Sequence, residues 1–363
     1  MDDLVYICAL SHIFRYEPVV CRELLENREP GYLFSLSKKE LGELFRNRPN
    51  VADKLCDAEL LEGCRKDVEW AKSKGVEVLD ITSERYPVML KECNDAPSVL
   101  FYIGNADLNA AVPIAVAGTR MASSYGRQIC KSVVCSFTGD NVSIISGMAF
   151  GIDACAHKAA LDADLPTVGV LPCGIDMIYP SAHRDMAKRM LEKGGLITEF
   201  RPGTGVRRWQ FVKRNRIIAG MAGSLIIIES RIKGGAMITA ELANSYGRDV
   251  YAVPGRIGDT NSYGCNYLIS KNMAQIYMPE SVKFSMGLST ACERPANMQP
   301  DLFLYEDDKK EKILLSLKLG SAVDIETLCR DTGLEFNEVA SILLSLELEG
   351  IITVKKGNRY ALL

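Results

Sequence analysis

Apolar and polar positions change rhythm twice along the chain. In the middle third, short and nearly continuous apolar runs recur: PIAVAG (113–118), VSIISG (142–147), PTVGVLP (166–172), SLIIIES (224–230) and DVYAVPG (249–255). Each ends at Gly, Pro or Ser. Between several of them lie stretches with helical spacing, such as YGRQICKSVVCSF and GGAMITAELANSYG. Unbroken apolar runs of this length suit strands buried on both faces, and strands alternating with helices predict an open parallel sheet. The expected fold class is therefore α/β, a Rossmann-like core over 66–285.

The flanks read differently. Residues 1–65 show apolar positions three and four apart, in DDLVYICALSHI and KKELGELF, with turn signals at Pro30-Gly31 and Pro49-Asn50. They predict a small helical domain of the SAM or helix-hairpin-helix kind, serving packing or interaction. Residues 286–300 lack periodicity and contain two prolines, which predicts a linker. Three helical patterns follow over 301–363, then IITVKKGNRYAL with a turn at Gly357-Asn358. Three helices and a two-strand wing predict a winged-helix domain.

Composition narrows the chemistry. The 363 residues carry a net charge of −3, so a polyanion site must be a local patch. Twelve cysteines occur without any C-x-x-C pair, which excludes a zinc signature and favours reduced, mostly buried thiols in a cytoplasmic protein. No apolar run is long enough for a membrane span. Neither a metal site nor a cofactor is expected. Catalysis has little support: there is no nucleophile elbow, and the histidines are His12, His157 and His183 only. Glu229, at a strand end, is read as structural rather than as a base.

In open α/β sheets ligands sit beyond the carboxyl ends of the strands, so the loops there matter most. AGTRMASSYG offers Gly118, Thr119 and Arg120, a bidentate phosphate donor beside a helix start. SGMAFGIDACAHKAAL offers Ser146, Gly147 and Gly151, with Asp153 and His157 expected to form a hydrogen-bonded pair at the helix start. GGAMITAEL opens a helix at Gly235 and carries Thr239 soon after. AVPGRIGDTNSYGCNYLI reads as a binding loop or as a cover over the sheet edge.

The most pronounced feature is VRRWQFVKRNRIIAG (206–220). From Arg201 to Arg216 there are six cations and no acid: Arg201, Arg207, Arg208, Lys213, Arg214 and Arg216. Trp209 and Phe211 are interleaved. Cations track phosphates and rings stack bases, the combination that binds single strands. The alternative is a solvated basic loop whose aromatics are core.

Taken together, AGTRMASSYG, SGMAFGIDACAHKAAL, LPCGIDMIYP, FVKRNRIIAG, GGAMITAELA and YAVPG…GCNYLI resemble the DNA-processing protein A (DprA/Smf) family. The likeness covers about 85–280. It implies a Rossmann-like core that binds single-stranded DNA, protects incoming DNA in natural transformation, helps load the RecA recombinase and forms a homodimer through the core. Arg120 matches the arginine of the family's G-S-R motif. Arg208 and Phe211 match its basic-x-x-Phe pattern, ahead of an R-N-R that is Arg214-Asn215-Arg216 here. The candidate DNA contacts are thus Gly118, Thr119, Arg120, Ser146, Gly147, Gly151, Arg207, Arg208, Phe211, Lys213, Arg214, Asn215, Arg216, Gly235 and Thr239. Departures are Thr119 for Ser, Val212 for Pro (a less rigid loop), His183 for Asn and Cys265 for Thr.

Two further expectations follow. The segment 301–363 holds 8 basic and 12 acidic residues, and its third helix, 335–349, has Glu335, Glu338, Glu347 and Glu349 but no Lys or Arg. Phosphates are repelled by such a face, which favours protein contact or oligomer regulation; Lys355, Lys356 and Arg359 on the wing keep DNA open. The alternative function is a nucleotide hydrolase of the LOG type, whose P-G-G-x-G-T-x-x-E loop corresponds here to IKGGAMITAE, without the second glycine-threonine.

Overall fold

The computed structural model describes residues 2–288, 308–319, 323–348, 351–355 and 359–362. Most of the expected linker and the turn of the wing lie outside them. The chain divides into two compact units, Met1–Ala291 and Cys292–Leu363.

The first unit begins with helices α1 (Asp2–Ile13), α2 (Pro18–Asn27), α3 (Tyr32–Ser35), α4 (Lys38–Leu44), α5 (Pro49–Leu55) and α6 (Ala58–Ser73). Their starts follow local chemistry: Ser37 and Glu40 form a reciprocal capping box on α4, Asp57 caps α6, and prolines open α2 and α5. Leu10, Phe14, Leu33, Leu41 and Leu55 form a core within this layer. Val5 and Cys8 of α1 and Cys64 and Val68 of α6 instead join Phe101, Met190 and Leu196 of the neighbouring sheet layer. The N-terminal helices therefore share a core with the sheet, and α6 continues across position 65 to Ser73.

Nine strands make one sheet: β1 (Glu77–Asp80), β2 (Val99–Gly104), β3 (Val112–Ala117), β4 (Val142–Ser146), β5 (Thr167–Val170), β6 (Gly195–Thr198), β7 (Ser224–Ile227), β8 (Asp249–Ala252) and β9 (Gln275–Ile276). Their order is β1-β2-β6-β5-β4-β3-β7-β8-β9. All pairings from β6 through β9 are parallel, while β1 and β2 add an antiparallel edge. The five apolar runs became β3, β4, β5, β7 and β8, and every residue of β4, β5 and β7 is buried.

Helices α7 (Val88–Lys91), α8 (Ser124–Cys135), α9 (Ile152–Asp162), α10 (Arg184–Lys193), α11 (Arg208–Met221), α12 (Gly235–Ser245), α13 (Tyr263–Ser270) and α14 (Pro279–Ser285) complete the unit. The chain leaves β3 in one direction toward β6, then returns to β7 on the other side of β3. The strand order thus reverses at the β3/β7 junction, where an open sheet leaves a crevice.

The second unit contains α15 (Asp308–Leu319), β10 (Val323–Asp324), α16 (Ile325–Thr332), α17 (Phe336–Leu348), β11 (Ile352–Lys355) and β12 (Arg359–Leu362). Its antiparallel sheet has the order β10-β12-β11. Ile313, Leu317, Leu328, Val339, Leu343 and Leu346 fill its core. Three helices with a β-wing form the expected winged helix.

Candidate nucleic-acid interface

A cleft of 830 Å³ opens beyond the carboxyl ends of β3 and β7. The loop after β3 supplies Gly118, Thr119 and Arg120, the start of α11 supplies Arg208, Phe211 and Asn215, and the loop into α12 supplies Arg231, Lys233, Gly234 and Gly235. Arg120, Arg208, Arg231 and Lys233 are exposed. The guanidinium carbon of Arg120 stands 4.7 Å from the centroid of the Phe211 ring, and Tyr179 meets that ring edge-on at 5.8 Å. Cations and flat rings therefore converge on one opening.

The frame behind the cleft is buried and tightly bonded. Glu229, 1% exposed, accepts from Ser123 N (2.9 Å) and Ser123 Oγ (2.5 Å), and its carbonyl accepts from Thr119 N (2.7 Å). One residue thus fixes both the Arg120 loop and the cap of α8, the structural part expected of it. Gly151 adopts φ +81°, and a side chain there would overlap the backbone of Thr119 and Arg120. At Gly147 a Cβ would overlap the Arg214 guanidinium. Ser146 Oγ donates to Val116 O (2.6 Å) inside the sheet. Ser146, Gly147 and Gly151 shape the wall from behind and do not line the cleft.

The basic stretch is helical rather than a loop. Residues from Arg208 onward form α11, with Gln210 accepting from the backbone N–H of Arg207 at its start. Val212 sits on a helix, so its replacement of proline loosens no loop. The six cations also separate. Arg201 pairs with Asp67 of α6. Arg216 and Lys213 both reach Glu199 Oε2, at 2.5 and 3.2 Å. Arg214, 3% exposed, donates to Val170 O (3.0 Å). Burial lowers its pKa to about 10, and the charge of Asp153 works against that shift. Asp67 and Asp153 come from distant segments, and Glu199 stands two residues before Arg201, just outside the counted stretch, which is why that stretch looked uniformly cationic. Of the basic stretch, only Arg208 offers an exposed cation to this cleft; Arg207 is exposed but faces elsewhere.

Asp153 and His157 do not bond to each other. Asp153 Oδ2 accepts from Ala149 N (3.3 Å), and burial raises its pKa. His157 Nδ1 lies 2.7 Å from Thr167 Oγ1. Since that hydroxyl donates to Ile144 O, the ring nitrogen is the donor and Nε2 is left without a partner. Thr239, 2% exposed, lies one turn into α12 and bonds back to Gly235 O at 3.4 Å. Asn215 Nδ2 donates to the same carbonyl at 3.4 Å. His183 is buried and donates from Nδ1 to Met148 O (2.9 Å); Cys265 is buried against β7. Neither lines the cleft. Arg231, Lys233 and Tyr179, absent from the candidate contacts read from the sequence, do line it.

Among the described residues no group of His, Cys, Asp and Glu could hold a metal, no helix is long and apolar enough to cross a membrane, and every cysteine is free.

Fold and cleft define a class of protein: an open parallel α/β core with a cationic, ring-lined site where the strand order reverses, joined in sequence to a winged helix. Residues 77–285 match the family described as DNA recombination-mediator protein A, and residues 298–358 match the DprA winged helix domain. The chain belongs to the DNA recombination-mediator protein A family. It is 32% identical to Protein Smf of Escherichia coli over 306 residues, covering 81% of this chain and 80% of that one. It is 38% identical to DNA processing protein DprA of Streptococcus pneumoniae over 203 residues, 56% of this chain and 71% of that one. The solved structure of the Streptococcus pneumoniae protein superposes with a TM-score of 0.56 at 30% identity, covering 70% of this chain and 95% of that one. A Helicobacter pylori DNA processing protein A, studied for its single-stranded DNA binding mode, superposes at 0.53 with 25% identity, covering 58% and 95%. The family is one of recombination mediators, not of enzymes. Consistently, Glu241, which falls on the glutamate of the LOG-type loop, is exposed on α12 and lines no part of the cleft.

Proposed function

We propose that this chain binds single-stranded DNA in the cleft between β3 and β7. It protects incoming strands in the cytoplasm during natural transformation and delivers them to the RecA recombinase, working as a homodimer through its core. The observation that carries the binding step is the convergence of Arg120, Arg208 and Lys233 with the Phe211 ring on one 830 Å³ opening. Guanidinium groups hold phosphates, and a ring within the same opening has a face that only an unpaired base can cover. A duplex keeps its bases stacked inside, so it gains the phosphate contacts and loses the ring. The single-strand binding reported for the Helicobacter pylori relative supports the same reading.

Titrating fluorescent oligo-dT and a duplex of equal length at two salt concentrations tests it. Tight, salt-sensitive binding of the single strand with much weaker duplex binding is expected. Equal affinity for both, or mononucleotide binding without oligonucleotide binding, overturns it. Delivery to RecA is tested by the lag before RecA filaments form on single strands, which the chain should shorten. Dimerisation is tested by sedimentation of the purified protein.

A further inference from the structure

A second cleft, of 510 Å³, lies against the opposite side of the first turn of α11. Its lining includes Arg15 and Tyr16, which follow α1, Glu199 and Phe200, which follow β6, and Arg207 and Trp209. Helix α11 thus divides its first turn: Arg208 and Phe211 face one cleft, Arg207 and Trp209 the other. Both rings are exposed, Tyr16 at 66% and Trp209 at 39%. Their centroids stand 6.3 Å apart, and the Arg15 guanidinium lies 4.7 Å over Tyr16. Deeper in, Glu199 has a side chain only 8% exposed. Its Oε2 takes Arg216 and Lys213, yet its Oε1 has no hydrogen-bond partner. A buried carboxylate oxygen without a donor is costly unless something fills it.

We infer that the second cleft is a nucleotide subsite on the same single-strand track, with a base stacked on Tyr16 and Trp209, its flanking phosphates on Arg15 and Arg207, and its exocyclic amino group donating to Glu199 Oε1. The inference rests on the first cleft being a single-strand site. The charge pattern orients the ligand. Arg15 and Arg207 are exposed while Glu199 is buried, so the phosphates stay at the outer arginines and the base turns inward. Cytosine brings an amino donor to Glu199, whereas thymine brings a carbonyl oxygen that the carboxylate rejects. Between the two clefts the strand crosses the N-terminal end of α11, whose free N–H groups and dipole favour the connecting phosphate. A phosphopeptide would use the arginines and leave the rings and Glu199 Oε1 unexplained.

Fluorescence anisotropy of the full chain with oligo-dC and oligo-dT of about 20 nucleotides tests the subsite. The expected result is tighter binding of oligo-dC, a loss of about tenfold in oligo-dC affinity for Trp209→Ala and for Tyr16→Ala, and a vanished dC/dT difference for Glu199→Gln. Glu199 also holds Arg216, so that variant is scored only with an unchanged unfolding transition. Tyr16, exposed as it is, provides the variant that keeps its fold. Equal affinity of the wild type for oligo-dC and oligo-dT, or Tyr16→Ala and Trp209→Ala variants that bind oligo-dC as the wild type does, overturns the subsite. If binding then still depends on Arg120 and Phe211, the first cleft stands alone; if the wild type binds neither strand, both readings fall.

Discussion

The guanidinium of Arg120 lies 4.7 Å over the ring of Phe211, although the two residues are 91 positions apart and sit on different elements. Arg120 leaves β3 and Phe211 projects from the first turn of α11. Their meeting creates a surface with charge at one end and a flat face at the other, and neither residue alone defines it. The cation sits against a face of the ring, in a cation–π contact, while Tyr179 takes the edge-on place.

This pairing separates two contributions to binding. Replacing Arg120 by Ala should weaken single-strand binding and make the salt dependence shallower by about 0.7 in log–log slope, the value of one lost phosphate contact. Replacing Phe211 by Ala should cost about 1–3 kcal/mol of binding and leave the slope unchanged, because stacking releases no counterion. Titrations at four salt concentrations read both. Normal oligo-dT binding by both variants would remove this cleft from consideration.

Arg208 and Arg214 are six residues apart on one helix but should behave oppositely. Arg208 is exposed, and its change to Ala should leave stability within about 0.5 kcal/mol while weakening DNA binding. Arg214 is 3% exposed, and its charge acts on buried Asp153 more strongly than that of Arg120. Its change to Ala leaves an unbalanced buried carboxyl group and should cost about 3 kcal/mol of unfolding stability. Urea midpoints of the two variants decide the matter.

Gly147 is small because Arg214 occupies the place of its side chain. Gly147→Ala should therefore destabilise the fold by about 1–3 kcal/mol through displacement of the guanidinium. Combined with Arg214→Ala, the cost should be clearly less than the sum, since the clash is then gone. A double-mutant cycle of unfolding free energies measures this coupling; strict additivity would mean that the two residues do not press on each other.

Stability should fall in mild acid. Burial, with smaller contributions from His183 and Arg214, lowers the pKa of His157 from 6.5 to about 3. The unfolded chain takes up a proton near pH 6.5 while the folded ring stays neutral, so stability is complete above pH 6.5 and declines as pH falls toward 3. By pH 5 the loss from this residue alone is about 2 kcal/mol. Burial, then Arg201, lowers His12 to about 4 and adds to the decline in the same direction. Thermal unfolding at pH 7, 6 and 5 should show the trend, and His157→Asn should flatten it.

How legible the molecule was depended on the range of the interactions. The five central strands could be read directly because a strand buried on both faces must be apolar along its whole length. β6 was missed: GLIT is short and runs out of α10 with a single glycine between. The antiparallel pair β1 and β2 escaped notice because their meaning lies in which strand they join. Arg120, Arg208 and Phe211 were found from residue type and order. Arg214 and Arg216 entered the candidate contacts partly through a count of charge from Arg201 to Arg216, a window that opens two residues after Glu199; both are buried.

By itself the sequence determined the buried parallel strands, the turns after them, the helical flanks and the residue types gathered at one edge of the sheet, because burial and backbone conformation act over a few neighbouring residues. Tertiary structure alone decided which cations meet solvent and which are spent on Asp67, Asp153 and Glu199. It also decided that Tyr16 stands beside Trp209 and Arg120 over Phe211. Charge neutralisation and ring contact are settled by distance in space, and sequence spacing carries no record of residues brought together from opposite ends of a fold.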